Sequence, residues 1–167
     1  MKISMHAMSH GVFKKALLQL QHVMEKAVAN AKARNFDTSV LVNARLAPDM
    51  FPFAKQIQLT SDFAKNSMAR LAGIDPPKFE DTESNVDELI VRVKKTLDYI
   101  DTVPAAAIEG SETRDIRIPL RDRTLELKGL PFLQTWALPN FFFHYVTAYN
   151  VLRHNGVDVG KRDFLGG

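Results

Sequence analysis

The chain has 167 residues, 46% hydrophobic and 25% charged, with a formal net charge of +3. That is the composition of an ordinary soluble globular protein, and the length points to one domain over residues 1–167 with room for a real core. The complete lack of cysteine excludes disulfides, thiolate metal sites and a cysteine nucleophile.

Residues from about Ser4 to Arg34 read as a first long helix. Phe13, Leu17, Leu20, Met24, Ala27 and Ala31 recur at alternating spacings of four and three, which puts them on one stripe. Lys14, Lys15, Gln19, Lys26 and Lys32 fall mostly on the other side. His6, His10, Lys14 and Lys15 interrupt the opening segment, so it lacks the apolar core of a signal peptide. A connection follows from Asn35 to Phe51, with a short helix around Thr38 to Asn43. Pro48 and Pro52 bracket an ordered turn, in which Arg45 and Asp49 are spaced for a local ion pair.

Pro52 suits the first position of a second helix carrying Phe53, Ile57, Ala64, Met68 and Leu71. Gly73 and Pro76-Pro77 stop it. Ser84 with Asp87 resembles a capping box. It opens a third helix with Val86, Leu89, Ile90, Val93, Leu97 and Ile100 on one face, ending before Pro104. Between 113 and 128 the period changes. Ile116, Ile118 and Leu120 alternate with Arg117 and Pro119, and Leu125 and Leu127 flank Glu126, which reads as two short strands turning at Arg121-Asp122-Arg123. Gly129 to Gly156 is the fourth helical element. Pro131 suits its first turn, Pro139 is expected to kink or interrupt it, and Asn155-Gly156 supplies its left-handed cap. The expected shape is a mainly all-α four-helix bundle with a small β-hairpin in the crossover before the last helix.

Charge is uneven along this layout. Lys+Arg against Asp+Glu number 10 and 4 in residues 1–70, 5 and 11 in residues 71–115, and 7 and 4 in residues 116–167. The pattern suggests complementary packing of successive elements or solvated faces, not the basic stripe of a nucleic-acid binder. No run approaches the roughly 20 apolar residues of a membrane helix. The expected location is cytoplasmic, with neither nucleic acid nor membrane as partner.

His144 is the leading site candidate. It lies among Phe141, Phe142, Phe143, Tyr145 and Tyr149, where an ionisable ring is a metal ligand, a general base or a hydrogen-bonded core residue. Gln56 and Thr60 on the second helix are the polar groups best placed to face it. His6 and His10 have the spacing of a helical chelate, but alone that is a weak motif. His22 is expected at the surface, and His154 falls in a last turn, where positive charge suits the helix dipole. No nucleophile elbow, Walker loop, dinucleotide glycine pattern or HExxH motif occurs.

Four blocks carry a resemblance: NARLAPDMFPFAKQIQ from Asn43, RLAGIDPPKFEDTE from Arg70, LPNFFFHYVTAYNVLRHNG from Leu138 and GKRDFLGG from Gly160. Together they resemble a family of small bacterial proteins of unknown function within the DinB-like superfamily of four-helix metalloenzymes. The resemblance covers essentially the whole chain and implies a DinB-type bundle, often a homodimer. In that superfamily three histidines commonly hold a divalent metal such as zinc or nickel, one from the second helix and two in H-x3-H spacing from the last. Registering the last helix on Leu152-Arg153 and Gly156 places His144 at the second of those two positions and Asn140 at the first. The second helix has no histidine, and Gln56 or Thr60 is nearest its place.

Two readings follow from the resemblance. One is a small-molecule-binding or structural dimeric bundle with a degenerate metal site. The other is an enzyme similar to metal-dependent thiol transferases, with His144 as ligand or base. In both, Gln56, Thr60, Asn140 and Tyr149 are the candidates to surround a bound group.

Overall fold

The structure, a computed structural model, describes residues 4–167. A π-helical turn, Ala7–Gly11, leads into α1 (Val12–Ala33), followed by short α2 (Ser39–Val42) and long α3 (Phe53–Ala72) and α4 (Val86–Thr102). Then come α5 (Ala105–Ile108), a 3-10 turn at Ser111–Thr113, and the antiparallel strands β1 (Asp115–Pro119) and β2 (Thr124–Lys128). The chain continues through α6 (Gly129–Pro131) and a second π segment, Phe132–Ala137, into α7 (Leu138–His154), and closes with α8 (Lys161–Leu165).

The four long helices pack in the ring order α1, α4, α3, α7, with α3 against both α4 and α7. All six stripe residues expected on the first helix are buried, as are the expected faces of α3 and α4. The hairpin pairs Ile116 with Leu127 and Ile118 with Leu125. Ile116 and Ile118 face the core, so the hairpin is stabilised by the helices it lies on. No helix among the described residues is long and apolar enough to cross a membrane.

Helix ends follow local chemistry, with small departures from expectation. Pro52 lies one step outside α3, as its N-cap. Its ψ is 165°, and its carbonyl accepts the first intrahelical bond, from Gln56 N. The cap of α4 is Asn85, not Ser84: the Asn85 side chain accepts from Glu88 N at 2.9 Å, while Glu88 Oε2 accepts from Ser84 N and Oγ. Glu88 is therefore the acidic member of this pair, one residue beyond Asp87. Gly73 (φ 74°) and Gly156 (φ 84°) close α3 and α7 in left-handed geometry that a side chain would resist.

Pro139 is accommodated by the π segment that precedes it. Pro139 falls in the first turn of α7, and nearby Thr135 Oγ1 and Asn140 Nδ2 donate to the Pro131 and Trp136 carbonyls at 2.7 Å each.

The chain's last helix is fastened from three sides. Asp163 accepts from Gly160 N at 2.7 Å and faces Lys26 and His22 at 3.0 Å, and those bonds hold its carboxyl down at a pKa of about 2. Tyr145 Oη donates to the Phe164 carbonyl at 3.0 Å, and Tyr149 Oη donates to the Val159 carbonyl.

Candidate ligand site at His144

α3 and α7 make the most extensive helix contact in the bundle, and His144 sits in it, 8% exposed. Its ring stacks on Phe63 at 5.7 Å and meets Phe143 edge-on at 5.2 Å. Nδ1 lies 2.8 Å from Gln56 Oε1. The Gln56 amide is itself oriented, because its Nε2 donates to the Phe51 carbonyl at 3.0 Å. With Nε2 facing an acceptor, Oε1 must accept, so the His144 proton belongs on Nδ1. Nε2 then carries a lone pair. It has no hydrogen-bond partner among the described residues, and it is not one of the sealed polar atoms left without one. Burial lowers the His144 pKa below the usual imidazole value, which favours this neutral form.

Gln56 also lines a small pocket of about 170 Å³ with Asp49, Met50, Phe51 and Phe143. The Pro48–Pro52 turn thus supplies one wall. Arg45 fixes that turn by donating to the Met50 carbonyl instead of pairing with Asp49.

The other candidates are occupied locally. Thr60 is fully buried, and its Oγ1 donates to the Gln56 carbonyl at 2.7 Å. That bond supports the turn that carries Gln56. Asn140 spends an amide proton on Trp136, and Tyr149 reaches toward the tail at Val159. The structure therefore brings Gln56 to His144 and ties Thr60, Asn140 and Tyr149 to backbone carbonyls.

His6 and His10 stack at 4.6 Å, and His10 Nε2 lies 2.7 Å from Asp101, an acidic partner from α4 that their spacing alone did not show. His22 is exposed and pairs with Asp163, and His154 ends α7.

Do these residues suit the divalent metal implied by the resemblance? Zinc and nickel sites need three or four convergent strong donors. Here one imidazole is joined by a glutamine whose amide is engaged at both ends, a threonine bonded to its own helix and an asparagine doing the same. Among the described residues, no group of three or more His, Asp or Glu side chains is arranged to hold a metal ion. The donor set does not fit.

Sequence reasoning missed a second polar centre. Arg92, 3% exposed, lies between α3 and the loop before α4. Its guanidinium contacts Asp62 at 3.2 Å, Asp81 at 3.0 Å, Glu83 at 2.9 Å and the Glu80 carbonyl at 3.0 Å. Lys65, 4% exposed, contacts Asp62 and donates to Asn66 and the Pro77 carbonyl. Lys65, Arg92 and Lys95 all stand over the Phe79 ring.

Comparison with known proteins gives the same architecture. Residues 5–165 match a family described as a domain of unknown function, DUF1993. The crystal structure of a DinB family member protein from Shewanella denitrificans superposes with a TM-score of 0.88. It is 37% identical, over 97% of this chain and 92% of that one. No curated protein matches.

Proposed function

The chain belongs to the DUF1993 domain family, and on that premise we propose that it is a small-molecule-binding bundle whose site at His144 and Gln56 works without a metal. The observation that carries this reading is the 2.8 Å bond from His144 Nδ1 to Gln56 Oε1. It commits the imidazole to one tautomer and leaves Nε2 as a hydrogen-bond acceptor. The complementary ligand group is an O–H or N–H donor. In the pocket that Gln56 lines, Met50, Phe51 and Phe143 offer apolar walls and Asp49 a carboxylate, the usual mix of a small-molecule site.

The test is a nitrogen NMR titration of His144 together with elemental analysis of untagged protein. At neutral pH the ring is expected as the neutral Nδ1–H tautomer, and zinc and nickel well below one equivalent. One equivalent of either metal, lost in His144→Ala, would overturn this reading in favour of the transferase-like alternative. The pH dependence has a definite sign. The folded His144 pKa lies below the usual value of about 6.5, so the unfolded chain protonates first as pH falls. Stability from the neutral ring is complete above that value and is lost as pH drops through the depressed one. His144→Gln should remove this part of the acid slope.

The reading also includes a homodimer. Phe143 and Val146, three apart on α7, are 58% and 39% exposed, and Phe51 is 54% exposed. Apolar groups of this size on one face favour self-association. Sedimentation should show a concentration-dependent dimer weakened by Phe143→Lys. A strict monomer at every accessible concentration would refute it.

A further inference from the structure

A different pocket, of about 290 Å³, lies between the start of α1, α7 and α8, and it shares no lining residue with the one beside Gln56. One side is aromatic. Phe142, Tyr145 and Phe164 line it, with Tyr145 and Phe164 stacked at 4.4 Å and joined by the Tyr145 hydroxyl bond to the Phe164 carbonyl. The facing side is low, because Ala7, Gly11 and Ala16 present little side chain.

Gly11 is informative. It ends the π turn with φ −59°, a conformation open to any residue, and nothing lies within 4 Å of where its Cβ would stand. Glycine weakens a helix, and here no turn or close approach calls for it. What it leaves is space, in a π-widened turn of the kind often found at functional sites.

The polar groups at the rim are few. Lys15 is exposed and forms no ion pair among the described residues, and the Gln19 amide, one turn on, has no hydrogen-bond partner among them. No carboxylate lines the pocket. A cation and an amide donor over an apolar, aromatic slot complement a flat ring bearing a negative charge.

We infer that this pocket binds a small aromatic carboxylate. The ring packs against Phe142, Tyr145 and Phe164, and the carboxylate accepts from Lys15 Nζ and Gln19 Nε2. The site stands apart from the pocket beside Gln56 and does not depend on the function proposed for it.

The probe is 2-naphthoate, titrated into the isotope-labelled full chain and followed by NMR, with 2-naphthylmethylamine as the same ring carrying the opposite charge. Naphthoate should give saturable shifts at Lys15, Gln19, Phe142 and Phe164, and the amine should bind several-fold more weakly. Lys15→Gln should lower naphthoate affinity about 2- to 5-fold, the range of an exposed ion pair. Gly11→Leu, which fills open space, should abolish binding with an unchanged or higher Tm, whereas Gly11→Ala should fold as well and still bind. No saturable shift at millimolar naphthoate, equal binding of the amine, or undiminished binding by a folded Gly11→Leu would each overturn the inference. The comparison of acid and amine uses the unaltered chain and stays decisive whatever the variants do.

Discussion

Arg92→Ala is expected to lower the unfolding free energy by about 3 kcal/mol, read as a shift of the urea midpoint without a change in slope. The guanidinium is nearly sealed from water and shared by three carboxylates, Asp62, Asp81 and Glu83, whereas Lys65, also sealed, meets Asp62. Removing it leaves Glu83, 10% exposed, with Gln58 Nε2 as its remaining partner. The expected loss sits at the low end of the range for breaking a buried pair because Asp62 and Asp81 are 30% and 36% exposed and can rehydrate. Arg92→Met, which keeps an unbranched apolar side chain at this buried position, isolates the charge. Adding Glu83→Gln to Arg92→Met should recover part of the loss, since the cost arises from the stranded carboxylate. Equal stability of Arg92→Met and the parent would show that the network is solvated.

Gly129→Ala should be at least as damaging, about 3 kcal/mol or more, at the top of the usual range for overpacking. Gly129 begins α6 directly after β2, and an added Cβ would stand 1.9 Å from the Ser111 carbonyl oxygen and 2.9 Å from its carbon. Both are backbone atoms, so no rotamer change relieves the clash. Either the 3-10 turn at Ser111–Thr113 or the start of α6, which leads toward α7, must move. Ser111→Gly should therefore fail to rescue it, and thermal unfolding of the single and double variants would check this. A Tm within a degree or two of the parent for Gly129→Ala would sink the argument.

The difference between these two positions and the rest of the fold shows what a one-dimensional pattern carries. Phe13 to Ala31 and Val86 to Ile100 were legible because burial of one helix face imposes a period on apolar residues. Ile116 and Ile118 were legible for the same reason with a period of two. Arg92 was not, since a buried charge carries the same letter as an exposed one and is identified only by its partners. Those partners, Asp81 and Glu83, lie in an irregular loop with no period to read. At the site, His144 stood out as an ionisable ring in an aromatic helix, and Gln56 as its polar counterpart on α3. Thr60 and Asn140 looked equally available. Each instead bonds a carbonyl four residues back, a local alternative that short polar side chains always have and that spacing does not reveal. Gly129 was noted only as the start of a helical element, because the carbonyl it accommodates lies 18 residues earlier in the chain.

The five residues of α8 are too few to hold a helix by themselves. Its carboxylate is met by Lys26 and His22 from α1, and its Phe164 carbonyl by the Tyr145 hydroxyl from α7. Both contacts are made at once only where those two long helices stand side by side. The order of the tail is thus a report on the assembled bundle: a probe attached near Leu165 would register the completion of folding.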